Sequence, residues 1–388
     1  MKRFFVFSLI FAFAALILAL SWKVSGFSDF YVRYVFPLCG QSYGRLTALA
    51  SFSVGEIMLY VFAGYVGLSA LFFVVGLFIL PFGKKQLFLA SAKNIRVLAD
   101  LLVVVFLIQV INCFVLYHTT PLYADSQYAD FKAGSEELID LRERLVTRAN
   151  ELSYRFNRDD KGFIVYEGDI KSEAVAAVRR LGDEAKARIK AGTETALDGK
   201  LQLLSGYNSK PKPLATSSFF SQQGIAGYFF PFSLEANYNK LMYISNIPDT
   251  MCHELSHLKG FIYEDEASFL AYLACVNSGD PFFEYSGILN ALSYVNVEIM
   301  KLIDRDPSLY DRITKKNELV VTDCIFLTEE VRAKIEKDAL LSTETVSAAS
   351  DAFIDASLTI NGVEDGIDSY SRIVDLLLKY YYGEHIDG

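Results

Sequence analysis

The sequence contains few of the histidines and cysteines that commonly form metal and redox sites. Among 388 residues there are only four histidines and five cysteines. The cysteine spacings match no zinc-finger or Cys-x-x-Cys pattern, which argues against a cysteine-based metal site. The chain has a net charge of −9 and no internal repeat or low-complexity tract. Because its charge is acidic, nucleic acid is not an expected partner.

Charged residues are missing from three long apolar runs in the first third of the chain. The runs predict transmembrane helices at about residues 4–20, 57–80 and 101–117. Each is near the roughly 20 residues that a helix needs to cross a bilayer, and each is apolar on all faces. Residues 1–118 are therefore predicted to form a transmembrane region, with the lipid bilayer as a partner.

Basic residues outnumber acidic ones before residue 119, with nine Lys/Arg and three Asp/Glu. The remainder has 28 Lys/Arg and 43 Asp/Glu, which is a net charge of −15. The short loop predicted after the second run contributes four of the basic residues: Lys84, Lys85, Lys93 and Arg96. Since Lys and Arg are enriched in cytoplasmic loops, everything after Tyr117 is expected outside the cytoplasm, in a multi-pass protein of the cell membrane. On that side Cys275 can pair with Cys324, although spacing alone cannot fix a disulfide.

Residues 119–207 are predicted to be a helical stalk or the helical N-terminal part of the ectodomain. A helix from Ser135 has apolar residues spaced by three and four. A second helical stretch runs from about Ser172 to Leu203, with Gly182 as its weak point. The texture of the sequence then changes, and residues 208–388 are expected to form the metallopeptidase domain.

The aromatic, glycine-punctuated stretch from Ser217 to Asn239 predicts strands or a hairpin. Pro231 ends its strand or confines it to a sheet edge, and an extended peptide can add to such an edge. An ordinary core hairpin is the alternative. The chain is predicted to be helical again from Ile247 onward, with further helices at residues 264–277, 281–303, 328–341 and 369–382.

Two of the four histidines stand four residues apart in the segment Met-Cys-His-Glu-Leu-Ser-His-Leu-Lys-Gly. On a helix this spacing places His253 and His257 on one face, where two imidazoles can bind one zinc ion. Glu254 lies beside the first ligand and can take a proton from zinc-bound water and pass it to the leaving amine. This HExxH pattern predicts a zinc metallopeptidase. The competing interpretation is a surface helix with a coincidental histidine pair.

A third protein ligand is required. The other histidines, His118 and His385, lie at the membrane edge and the extreme C-terminus, so a carboxylate is favoured. Gly260 can break the helix with a positive φ, and a new helix then opens with acidic residues. Glu264 or Glu266 can complete a His₂Glu site, or these acids simply suit the helix dipole.

The HExxH block followed by Glu-Asp-Glu-Ala-Ser at 264–268 resembles the gluzincin-type zincin peptidases, whose second motif is Glu-x-x-Ala-(Asp/Asn). The resemblance implies Zn²⁺ as cofactor and these site residues: the metal ligands His253, His257 and Glu264, and the general base Glu254. Ser268 stands where the family has Asp or Asn. Whether this residue hydrogen-bonds to a metal ligand, as the family's residue does, is therefore in doubt. The gap between the motifs is also short, and Glu266 stays the second candidate.

The wider pattern resembles an uncharacterised bacterial membrane-protein family that pairs N-terminal transmembrane helices with an HExxH ectodomain. The resemblance covers nearly the whole chain and rests on the HExxH block and four further segments: Gly224–Tyr228, Glu235–Asn237, Glu264–Ala267 and Tyr285–Gly287. It implies a bacterial envelope protein with a zincin fold, and it supplies no substrate.

These observations predict a membrane-anchored α+β protein, with three transmembrane helices followed by a mostly helical, zincin-like domain that contains a small β-sheet. The expected function is zinc-dependent hydrolysis of a peptide or protein substrate. The alternative is a catalytically inactive, zinc-containing membrane sensor or scaffold, which would tolerate loss of Glu254. Three residues qualify as oxyanion stabilisers by type alone and are not assigned to the site: Tyr228, Tyr285 and Arg372.

Overall fold

The computed structural model describes residues 2–124, 126–361, 363 and 372–383. The chain divides into two compact units. The first consists of Met1–Thr119 with Phe230–Glu235, and the second of Thr120–Phe229 with Ala236–Gly388.

The first unit contains three helices long and apolar enough to cross a membrane: α1 (Lys2–Lys23), α2 (Val54–Ile79) and α3 (Lys85–Asn112). Short 3₁₀ turns extend α2 and α3 to Phe82 and His118. Only 11% of the apolar window of each helix is buried within the protein, so their outer surfaces suit hydrocarbon rather than water. The segment between α1 and α2 contains single-turn helical pieces at Phe27–Phe30, Tyr31–Val35, Phe36–Gln41 and Tyr43–Thr47.

The basic loop predicted between the second and third spans is largely helical, which corrects that expectation. Helix α3 begins at Lys85, and the connection from α2 turns at Gly83, which has a φ of 78°. No Gly or Pro occurs between Lys85 and Asp100, so nothing in the sequence stops the helix where its apolar part ends. Hydropathy therefore located the span and missed the start of its helix.

The turn Phe230–Glu235 belongs to the first unit and is bound there by side chains. The Glu235 carboxylate accepts a hydrogen bond of 2.7 Å from the N–H of Gly55, in the first turn of α2. The Asn112 amide donates to the carbonyl of Pro231 at 2.7 Å. A carboxylate at a helix N-terminus is favourable because it meets the positive end of the helix dipole.

The second unit is mostly helical, as predicted. Its longer helices are α4 (Ser135–Leu152), α5 (Ile170–Ala191), α6 (Ser217–Gln222), α7 (Ile247–His257), α8 (Glu264–Val276), α9 (Pro281–Arg305), α10 (Glu329–Asp338), α11 (Thr343–Ile360) and α12 (Ile373–Leu378). Single-turn helices occur at Asp198–Leu201, Leu309–Arg312 and Glu318–Asp323, and a π segment at Lys379–Gly383. Residues 369–371 of the last predicted helix lie outside the described residues, and α11 was not predicted.

One hydrophobic core joins six helices of this unit: α4, α5, α7, α8, α9 and α12. Leu141 and Leu145 of α4 and Val178 of α5 are buried in the same cluster as Leu255 of α7 and Phe269 of α8. Because α4 and α5 share this core with the HExxH helix, they form a wall of the unit around it.

Helix α5 ends at Ala191 and does not continue to Leu203, which corrects the second predicted helix. Gly192 takes a φ of 72°, the left-handed conformation that commonly ends helices. Gly182, predicted to be a weak point, is instead a site of close packing. A Cβ built there would lie 2.2 Å from the backbone nitrogen of Ser205.

A small sheet has the strand order β1-β3-β2, with β1 at Lys212–Pro213, β2 at Gly227–Phe230 and β3 at Glu235–Tyr238. β1 runs parallel to β3, with Lys212 opposite Asn237. Strand β2 lies at an edge of the described sheet and ends directly before Pro231, as predicted. The first residues of the predicted strand region form helix α6 instead.

The five cysteines are free thiols, and Cys275 lies beside Cys252 rather than Cys324. The two sulfur atoms are 3.9 Å apart and fully buried where α7 packs against α8. Cys324 is exposed, so the pairing of Cys275 with Cys324 suggested by the sequence is wrong in this structure.

The packing at Gly182 predicts that Gly182→Ala lowers the free energy of unfolding by about 1–3 kcal/mol, because the backbone at Ser205 must move. Thermal unfolding of the full chain in detergent measures this effect. Gly199→Ala is the control, since nothing lies within 4 Å of a Cβ built at that helical glycine. We expect the control to be neutral or more stable by up to about 1 kcal/mol; equal losses in both variants would contradict the packing argument.

Candidate metal centre

Helix α7 carries the HExxH residues into the interior of the second unit. It has Pro248 in its first turn, where proline is favourable, and it ends at His257. Gly260 then adopts a φ of 94°, as the sequence predicted, and reverses the chain into α8. The reversal brings Glu264, the first residue of α8, next to the histidines.

Three side chains converge at this reversal. His253 Nε2 lies 3.0 Å from Glu264 Oε2 and 3.0 Å from His257 Nε2. The third side of the triangle, from His257 Nε2 to Glu264 Oε2, is 3.6 Å. Ligands about 2.0–2.1 Å from a tetrahedral zinc ion are separated by about 3.3–3.4 Å. The three donor atoms therefore fit three corners of such a site, and no ion is part of the structure.

Glu266, the second candidate for the third ligand, points elsewhere. Its Oε1 accepts a hydrogen bond of 2.6 Å from the N–H of Leu122. Of the other histidines, His118 packs its ring against Trp22 at 4.4 Å, and His385 lies outside the described residues. Among the described residues, Glu264 is thus the acid that joins the two HExxH histidines.

The backbone and a serine orient the two imidazoles. His257 Nδ1 donates to the carbonyl of Phe261 at 2.7 Å, which leaves Nε2 as the donor atom for a metal. His253 Nδ1 lies 3.2 Å from the hydroxyl of Ser268. The hydroxyl thus contacts a histidine from the position where the gluzincin motif has Asp or Asn. No sequence pattern pointed to the Phe261 carbonyl.

Glu254 is buried next to these groups, with 4% of its surface exposed. Its Oε2 has no hydrogen-bond partner in the part of the chain that the structure describes. A Cβ built on Gly227 of β2 would lie 2.4 Å from Glu254 Oε1, so the strand approaches the carboxylate through a residue without a side chain. A glycine inside a strand pattern is the sequence signal for such an approach.

Comparison with known proteins gives one match. Residues 31–378 fit the family described as "Protein of unknown function (DUF3810)". The chain belongs to this family. No curated protein and no solved structure matches it. The match confirms the resemblance to an uncharacterised family, and that family's description carries no activity or metal.

The ionisable side chains at this site change one another's pKa values. Burial raises the pKa of Glu254 to about 8. Burial by itself also raises the pKa of Glu264, but the adjacent His257 and His253 outweigh it and hold that pKa well below its usual range. Burial alone lowers the pKa of His257, yet the Glu264 charge raises it to about 9. At His253 burial prevails and lowers the pKa. A divalent cation would replace these proton-dependent contacts.

Two of the oxyanion candidates are bound to carboxylates elsewhere. The Tyr285 hydroxyl donates to Asp323 at 2.8 Å, and the Arg372 guanidinium lies 3.2 Å from Asp265. Tyr228 is 43% exposed on β2, next to Gly227. Of the three, only Tyr228 neighbours a residue that contacts Glu254.

The contact at His253 predicts that Ser268→Ala weakens metal binding about 10-fold, because partners of this kind typically contribute 10–100-fold. Chelator competition on the full chain in detergent measures the affinity. Ser256→Ala is the matched control, since that buried hydroxyl donates to the carbonyl of Cys252 within the same helix. An unchanged affinity in Ser268→Ala would show that the hydroxyl does not support the ligand.

Proposed function

We propose that this protein is a membrane-anchored, zinc-dependent peptidase with a zincin-like site. The observation that carries the proposal is the triangle of His253, His257 and Glu264 donor atoms, with the buried Glu254 carboxylate beside it. This donor set, two imidazoles and one carboxylate with an open fourth position, is the kind used by catalytic zinc sites in hydrolases.

The residues of the site have separate roles in the proposed peptide hydrolysis. His253, His257 and Glu264 would hold the metal, which would act as a Lewis acid and lower the pKa of water. Glu254 presents Oε2 without a partner among the described residues, so this atom can accept a proton and return it to the leaving amine. Burial raises the pKa of Glu254 to about 8, and the positive charge of a bound cation would lower it, so that the carboxylate could take up a proton and release it again.

Strand β2 is the proposed docking element for the substrate. It lies at the edge of the described sheet, and Gly227 places its backbone against Glu254. An extended peptide bound along residues 224–231 would bring a scissile amide close to the general base. The proposed substrate is therefore a peptide or an extended segment of a protein.

The three apolar helices of the first unit anchor the enzyme in the membrane. The basic residues near the α2–α3 connection, among them Lys84 and Lys85, favour the cytoplasm. We propose that the residues after His118 lie on the extracytoplasmic side of a cell membrane and act there.

Zinc content and peptide cleavage, measured on the full chain in detergent, test this function. We expect one zinc per chain in the wild type, loss of zinc in Glu264→Ala, and retention of zinc in Glu254→Gln. Cleavage of an unstructured protein substrate should fall by about 10²–10⁴-fold in Glu254→Gln, since a general base contributes that much. Zinc that binds without any cleavage dependent on Glu254 would favour the sensor or scaffold; a folded wild type without zinc would remove the basis for both.

The close approach of β2 predicts that Gly227→Ala lowers peptidase activity and leaves zinc content unchanged. The added Cβ must displace the Glu254 carboxylate, and a misplacement of about 1 Å can cost about 10²-fold in rate. Activity per bound zinc is the measurement, with Gly199→Ala as control. Full activity in Gly227→Ala would mean that the strand does not position the general base.

A further inference from the structure

Three consecutive acids open helix α8, and each binds a different partner. Glu264 faces the two histidines, and Asp265 lies 3.2 Å from the Arg372 guanidinium. Glu266 binds the N–H of Leu122. Because all three side chains leave a single helical turn, the partners of the second and third acids help to fix the direction of the first.

The hydrogen bond between Glu266 and Leu122 joins residues that are far apart in the sequence, and it is buried. A glutamate at the third position of a helix often reaches back to the backbone at the start of its own helix. Here the carboxylate binds an N–H that lies 144 residues earlier in the chain. Only 4% of Glu266 and 5% of Leu122 are exposed, so water does not compete for this hydrogen bond.

The segment Thr120–Tyr123 is held at a second point as well. The Lys200 ammonium donates to the carbonyl of Thr120 at 2.9 Å. Tyr123 is 3% exposed and has a φ of 63°, a left-handed conformation that tyrosine adopts only when its surroundings enforce it. The segment Thr120–Tyr123, called the docked segment below, therefore follows one defined path through the core of the second unit.

We infer that Glu266 is a positioning residue for the metal site, because its bond to Leu122 fixes the first turn of α8 and so directs Glu264 at His253 and His257. This inference rests on the proposed zinc site. The docked segment begins two residues after His118, where the third membrane span ends. Displacement of Thr120–Tyr123 would break one buried hydrogen bond and loosen the turn that carries a metal ligand.

The test compares Glu266→Met with Glu266→Gln in the full chain in detergent. Methionine has a similar size and no strong acceptor, whereas the glutamine amide oxygen can still accept from Leu122. We expect zinc affinity, by chelator competition, to fall about 10-fold or more in the Met variant and to return close to wild type in the Gln variant. The absorption spectrum of bound Co²⁺ should change only in the Met variant, since it reports the ligand geometry.

Glu284→Met is the matched control. It removes a carboxylate of α9 that accepts a hydrogen bond of 2.6 Å from Arg148 of α4 and is not one of the metal ligands, so zinc affinity should be unchanged. If Glu266→Met does not fold, Glu266→Asp, whose reach is one methylene shorter, is expected to weaken zinc binding in the same direction.

Wild-type zinc affinity and Co²⁺ spectrum in a folded Glu266→Met or Glu266→Asp variant would overturn the inference. Equal losses in the Met and Gln variants would also overturn it, because the hydrogen bond would then not be the cause. A wild type that binds metal but cleaves no peptide would refute the peptidase alone and leave this comparison valid. A wild type that binds no metal would overturn both.

Discussion

The packing of α7 against α8, with a tight reversal at Gly260 between them, is the constraint on which the candidate site depends. It places His253, His257 and Glu264 within 3.0–3.6 Å of one another in the interior of the second unit. Polar groups are costly to bury unless they are paired, so the surrounding helices must supply partners. Helix α5 packs against both helices, and the chain places the Phe261 carbonyl and the Ser268 hydroxyl on the imidazoles.

Two buried carboxylates in the second unit differ in their hydrogen bonding: one has several partners, and the other has an oxygen without a partner among the described residues. Asp323 accepts hydrogen bonds from both terminal nitrogens of Arg158 and from the hydroxyls of Tyr243 and Tyr285. That network satisfies the carboxylate and ties together distant parts of the chain. Glu254 is equally enclosed, yet its Oε2 has no partner among the described residues. A buried polar atom left without a partner requires an explanation, and its position beside a possible metal site provides one.

The two units follow different rules of burial. In the first, apolar helices expose most of their surface, and hydrogen bonds from Gly55 and Asn112 to the Phe230–Glu235 turn supply polar contacts at helix ends. In the second, apolar side chains face inward and form one core. The first pattern suits the hydrocarbon of a membrane and the second suits water, which is why the composition differs so strongly between the two parts of the chain.

The sequence by itself determined the three apolar spans, the helix that carries His253 and His257, the reversal at Gly260 and the new helix at Glu264. These are local features, set by hydropathy, by a spacing of four residues and by the backbone freedom of glycine. Helix ends were less certain, because α3 continues beyond its apolar part and α5 stops at Gly192. Only the tertiary structure placed Glu264, and not Glu266, beside the two histidines, separated Cys275 from Cys324, and brought Gly227 and Ser268 to the site. Those contacts join residues far apart in the chain, and their distances depend on how helices pack rather than on any local pattern.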